Sequence, residues 1–202
     1  MRIIGGTARG IRLNAPPGQD VRPTEDRVKE TLFAVLGDLT GKTVVDAFAG
    51  SGSLGLEAMS RGAARVIAIE RVQKHCDAIR LNHAAVAKAM EAAGSQPGAF
   101  ELVKADAATI GQILKPYQGQ VEIVLADPPY NTNDGEFGAA EFLLKPNWDA
   151  ILASDAILVL EHEARKPLPW NPKSNWKLLK NKTFGIRETS FAAFLKTGEN
   201  QC

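Results

Sequence analysis

The chain has 202 residues, 45% of them hydrophobic and 23% charged, the composition of an ordinary globular domain rather than of a disordered or low-complexity chain. No apolar run approaches the roughly 20 residues that span a bilayer and no signal-peptide pattern opens it, so a cytoplasmic protein without a membrane segment is expected. The net charge of +1 hides an acidic body with basic flanks: residues 1–29 carry six Lys or Arg against three acids, 165–187 seven against none, and 30–164 ten against eighteen.

Basic flanks of this kind contact phosphates or are simply solvated faces, and charge alone does not choose. In chain order, Arg2-Ile3-Ile4-Gly5-Gly6 and Gly10-Ile11-Arg12-Leu13, joined through Thr7-Ala8-Arg9, read as a β-hairpin with basic residues at its tip and edges. With the Pro- and Gly-containing linker that follows, it makes residues 1–20 an appendage to a domain over 21–202. Pro23-Thr24 opens a helix with Thr24 as N-cap, an apolar face of Val28, Leu32, Val35 and Leu36, and Gly37 as its stop. Arg22 and Arg27 flank its start, within reach of an anion or as plain terminal charges.

Strands and helices then alternate: strands at Thr43–Ala47, Arg65–Ile69, Phe100–Lys104 and Val121–Ala126, and helices at Leu54–Arg61, Val72–Met90 and Ala107–Leu114. Short apolar strands separated by helices predict a parallel sheet covered on both faces. A helical region reaches about Ala153, a strand Ala156–Leu160 follows, and Trp176–Leu179 with Thr189–Leu195 form a terminal hairpin. Cys76 falls in phase with Ile79, Val86 and Met90 on one helical stripe, so it reads as packing. Neither the cysteines nor His75, His83 and His162 show ligand spacing, so no metal is expected.

The run Val44-Val45-Asp46-Ala47-Phe48-Ala49-Gly50-Ser51-Gly52-Ser53-Leu54-Gly55 is a buried strand, a tight turn with glycines spaced G-x-G-x-x-G, and a helix start. That spacing suits a dinucleotide, whose pyrophosphate lies on the helix N-terminus. Asp46 argues against it, because a carboxylate at the strand end repels a diphosphate and attracts an ammonium or sulfonium. Asp46, Glu70, Asp106 and Asp127 all stand at or just after strand ends, the edge where open α/β sheets bind ligands. Glu70 suits the hydroxyls of a ribose, and Asp106 either an exocyclic amine such as adenine's or a cap on the helix at Ala107. In Asp127-Pro128-Pro129-Tyr130 two prolines remove two N–H donors, leaving an acceptor-only turn beside a flat ring. A planar base carrying an NH2 group can stack on that ring and donate to those acceptors.

With these residues the chain resembles the Rossmann-like S-adenosylmethionine-dependent methyltransferases of exocyclic amines. Arg2-Ile-Ile-Gly-Gly, Arg9-Gly, Arg22-Pro-Thr24, the run from Asp46 to Gly62 and Lys182-Thr-Phe-Gly185 further resemble the bacterial small-subunit (16S) ribosomal RNA guanine-N2 methyltransferases of the RsmD type. Ala47 stands where a larger apolar residue is expected. The resemblance implies a seven-stranded, mostly parallel sheet with an antiparallel C-terminal hairpin. It implies S-adenosylmethionine contacts at Asp46, Gly50, Gly52, Glu70 and Asp106, with Phe48, Ser51 and Ala107 beside them, and S-adenosylhomocysteine as product. Asp127, Pro128 and Tyr130 become the catalytic candidates, and Arg9, Arg12, Arg22, Thr24 and Pro129 the substrate-binding ones. A monomer acting on ribosomal RNA, free or within an assembly intermediate, is expected. The rivals are an adenine-N6 methyltransferase, a nicotinamide oxidoreductase using the glycine turn and Glu70, and a non-catalytic RNA-binding module.

Overall fold

A computed structural model describes residues 1–15, 26–129 and 137–196. Seven strands form a mixed sheet in the order β3-β2-β1-β4-β5-β7-β6, with β1 Thr43–Asp46, β2 Arg65–Glu70, β3 Ala99–Lys104, β4 Val121–Ala126, β5 Leu152–Glu163, β6 Trp176–Phe184 and β7 Arg187–Phe194. The chain divides into two compact units, Met1–Asp106 and Ala107–Cys202.

In the first unit the N-terminal segment doubles back as expected, but with a single antiparallel bridge between Arg2 and Arg12 rather than a ladder. Ile3 N–H donates to the Ile11 carbonyl (2.9 Å) and Leu13 N–H to that of Met1 (3.1 Å). Ile3, Ala8 and Leu13 are buried while Arg9 and Arg12 are exposed, so the reversal has an apolar side and a basic side. Helix α1 (Asp26–Leu36) buries Val28, Lys29, Leu32 and Phe33. The expected face is thus rotated: Val35 is 40% exposed and Phe33 takes the core position, because a buried Lys29 with partners shifts the stripe toward itself. Gly37 (φ +74°) ends the helix in the left-handed conformation, its N–H donating to the Phe33 carbonyl (3.1 Å).

Strands β1, β2 and β3 run parallel, with Thr43 opposite Arg65 and Arg65 opposite Ala99. Between β1 and β2 lies α2 (Ser53–Ser60), and between β2 and β3 lies α3 (Gln73–Ala92). Cys76, Ile79, Val86 and Met90 are all buried on the expected stripe of α3, and burial pushes the Cys76 thiol above its usual pKa, so it packs rather than reacts.

In the second unit the single helix expected over 107–114 is broken into a 3-10 turn (Ala107–Thr109) and the short α4 (Ile110–Ile113). After β4 come α5 (Ala139–Leu144) and α6 (Trp148–Ile151). Strand β5, parallel to β4, starts at Leu152, four residues earlier than expected. The terminal hairpin is also longer than expected, because exposed edge residues such as Lys180 and Asn181 look like loop in sequence although they pair with Phe191 and Ser190. It closes at Phe184 and Arg187 through Gly185-Ile186, with Gly185 (φ +64°) supplying the positive φ of a two-residue turn. Among the described residues no helix is long and apolar enough to cross a membrane, and no cluster of three or more His, Cys, Asp or Glu could hold a metal.

Candidate active site

The glycine turn emerges from the buried end of β1. Gly50 (φ +55°) and Gly52 (φ +77°) adopt the left-handed conformation that side chains disfavour, and Gly52 is the residue from which α2 starts. Asp46 lies beneath the turn rather than at its surface, 2% exposed, and Oδ2 accepts the N–H of Gly55 at 2.8 Å. Gly55 fits tightly, since a Cβ there would stand 3.0 Å from the Val66 side chain and 3.1 Å from Asp46 Oδ2 and would require both to shift. Burial drives the Asp46 carboxyl up to about 7, against the Gly55 hydrogen bond and with help from the neighbouring Glu70 charge.

Glu70, at the end of β2, clamps the same turn from the other side. Its Oε2 accepts the N–H of Gly50 (2.8 Å) and its Oε1 that of Val72 (2.7 Å), with His75 Nδ1 3.3 Å from Oε1. It thereby ties the glycine turn to the start of α3. Phe48 is half-buried and Ser51 buried, and the Ser51 carbonyl accepts from Asn82 Nδ2 at 2.9 Å. Asn82 also exchanges two hydrogen bonds with the Asn14 backbone, from Asn14 N–H (2.8 Å) and to its carbonyl (3.0 Å), so α3 joins the turn to the N-terminal segment. After β3 the Asp106 carboxylate is 49% exposed, 3.8 Å from Arg71 Nη1, and Ala107 is buried.

The N-terminal segment is fastened to α2 by a buried group. Glu57, fully buried, accepts the N–H groups of Ile4 and Gly5 (2.8 Å each) and Arg61 Nε (2.9 Å), with Lys29 Nζ 3.8 Å away. Lys29 Nζ also donates to the Arg2 carbonyl and to Ser53 Oγ (3.2 Å). Ser60 Oγ accepts Ala8 N–H (2.9 Å) and donates to the Gly5 carbonyl (2.7 Å). Sequence reasoning did not single out Lys29, Ser60, His75 or Asn82 for a role; their signal was a polar residue at a core phase of a helical pattern.

In the second unit Asp127-Pro128-Pro129 directly follows β4, half-buried, buried and exposed in turn. Tyr130, Arg22 and Thr24 lie outside the described residues.

Residues 1–193 match the family described as conserved hypothetical protein 95. The chain is 36% identical over 189 residues to the ribosomal RNA small subunit methyltransferase D of Haemophilus influenzae, covering 92% of this chain and 90% of the relative. The chain belongs to this family. The enzyme of the same name from Escherichia coli K12 is also 36% identical, over 188 residues that cover 92% of this chain and 85% of its own. Among solved structures the Escherichia coli protein yhhF superposes with a TM-score of 0.71 at 30% identity, over 98% of this chain and 99% of that one. As a family member the protein is a methyltransferase, which removes the nicotinamide oxidoreductase and the non-catalytic module from consideration. The adenine-N6 reading is not favoured either.

Proposed function

We propose that this methyltransferase moves a methyl group from S-adenosylmethionine to the exocyclic N2 of a guanine in small-subunit ribosomal RNA, releasing S-adenosylhomocysteine. The observation that carries the donor assignment is the pair of acids at the glycine turn. Burial, with the Glu70 charge adding to it, disfavours the ionised form of Asp46, and residues 46–55 contain no Lys or Arg. A diphosphate would add to that penalty, whereas a sulfonium relieves it. S-adenosylmethionine supplies an electrophilic methyl on such a sulfonium.

The glycine turn, with Phe48 and Ser51, receives the cofactor. Each Glu70 oxygen accepts one backbone N–H, and a carboxylate has about four acceptor positions, so lone pairs remain for a ribose hydroxyl. Asp106, exposed beside Ala107, accepts the adenine amine. Asp127 and the Pro128 carbonyl accept the two hydrogens of the guanine amine, and Tyr130 stacks on the base. The guanine nitrogen is a weak nucleophile because its lone pair is delocalised into the ring. Both acceptors fix the direction of its lone pair and strengthen as positive charge develops on nitrogen, after which the acidic proton leaves. Pro129, Arg22, Thr24 and the exposed Arg9 and Arg12 contact the RNA. The relatives' name supports the substrate class, and the enzyme works as a monomer in the cytoplasm.

Radiolabelled methyl transfer to 16S RNA, free or in a partly assembled subunit, tests the reading. Asp127→Ala should abolish transfer while leaving S-adenosylmethionine affinity within about twofold, because it removes an interaction made to the amine alone. An unchanged rate would take Asp127 out of the mechanism. Mass mapping of ribosomal RNA from cells lacking the protein should show one missing N2-methylguanine, and loss of a methyladenine instead would overturn the base assignment.

A further inference from the structure

We infer that the edge strand β6 is a second RNA-contact surface, in which Lys177, Lys180 and Lys182 stand in one row and follow the phosphates of the RNA backbone. The inference rests on the reading that the substrate is RNA.

Side chains alternate along a strand, so residues 177 and 180 of a regular strand would point to opposite faces of the sheet. In β6 they do not. The register with β7 shifts between Leu178 and Lys180, leaving Leu179 as an extra residue, 56% exposed. This is a β-bulge, and it inverts the alternation beyond it. Lys177, Lys180 and Lys182 consequently pair with Ala193, Phe191 and Thr189, alternate residues of β7 that share one face. The bulge converts three lysines at uneven spacing into one row, with Lys180 and Lys182 separated by about 6.8 Å, two strand residues.

The acid of β7 lies off the lysine face, while Glu161 and Glu163 of β5 lie on it, opposite Thr189 and Arg187. That β7 acid, Glu188, pairs with Thr183 on the opposite face, where Asn181 Nδ2 (3.1 Å) and Thr183 Oγ1 (3.3 Å) donate to it. Lys166 and Arg187 are matched by Glu163 (3.1 Å) and Glu161 (3.2 Å), but among the described residues no carboxylate pairs with the three β6 lysines. They lie within the 23-residue stretch 165–187, which holds seven basic residues and no acid. A polyanion complements such a row. Lysines also guard sheet edges against strand addition, but that role needs neither a shared face nor an acid-free stretch.

The test is RNA affinity as a function of salt, measured on full-length protein with a 16S RNA fragment, beside methyl transfer at saturating RNA. Each phosphate contact contributes about 0.7–0.9 to the slope of log K against log salt concentration. Lys177→Gln/Lys180→Gln/Lys182→Gln should therefore lower the slope by about 2.1–2.7, with the saturated transfer rate unchanged. Lys177→Leu/Leu178→Lys conserves net charge but moves one lysine to the other face, and should lower the slope by slightly less than one. An unchanged slope in the triple variant overturns the inference, as does self-association of that variant with RNA binding intact, the signature of edge protection alone. The proposed function fails separately, if the wild-type protein binds the RNA but transfers no methyl group to it.

Discussion

Replacing Glu57 with alanine should loosen the N-terminal segment and destabilise the whole first unit. The carboxylate is fully buried, and its removal leaves the N–H groups of Ile4 and Gly5 without their acceptor and takes the counter-charge from the Arg61 guanidinium and the Lys29 ammonium. Breaking a buried ion pair from one side costs about 3–5 kcal/mol, because the remaining charge is left without compensation. Burial already holds Lys29 below its ordinary pKa, with the Glu57 charge opposing that shift. Without Glu57 the ammonium can shed its proton, which favours the lower end of the range. In a chain of this size 1 kcal/mol corresponds to about 2–4 °C, so the melting temperature should fall by about 6–20 °C. Calorimetry gives the magnitude, and amide exchange at Ile4 and Gly5 shows whether the loss begins there. A melting temperature within about 2 °C of wild type, with both amides still protected, would refute the assignment of Glu57 as the fastening group.

Asp46 makes stability depend on pH. Its folded pKa of about 7 lies above the ordinary 3.8, so between those values the folded protein holds a proton that the unfolded chain releases. The Asp46 contribution is therefore complete below the unfolded value and is lost as pH rises through the folded one. The stability of wild type minus that of Asp46→Asn, whose amide oxygen still accepts from Gly55, should fall with pH by at most about 1.4 kcal/mol per unit and level off near pH 7; a flat difference would show that the carboxyl is ionised throughout. Gly6→Ala should cost more than about 1 kcal/mol, since φ is +70° and a Cβ would stand 1.9 Å from the Ser60 carbonyl oxygen. The same variant should weaken RNA binding without changing cofactor affinity, and an unaltered urea midpoint would show that the N-terminal segment does not need this close approach.

The strands β1, β2 and β4 were legible because a strand buried on both faces must be a short, nearly continuous apolar run, and Val44-Val45, Val66-Ile67 and Ile123-Val124-Leu125 are such runs. The buried stripe of α3 was equally legible, since its helical period is local. The apolar face of α1 was misread because burial of Lys29 depends on Glu57, 28 positions away. The edge strand β6 was cut short because its exposed polar residues carry no hydrophobic alternation.

For the site, the sequence by itself determined which residue types stand at the strand ends and that Pro128 and Pro129 carry no N–H donor, because both follow from local chemistry. It also determined family membership, through motifs that are each contiguous in the chain although together they run from Arg2 to Gly185. Tertiary structure alone decided what the acids do with their oxygens: Asp46 holds Gly55 from below, and Glu70 bridges Gly50 and Val72. It alone decided that Asn82 and Glu57 bind the N-terminal segment to the glycine turn and to α2, and that a one-residue bulge aligns the β6 lysines. Hydrogen-bond partners and strand register are set by groups that meet only when the chain is packed, and separations of 52, 53 and 68 residues leave no periodic trace in the sequence.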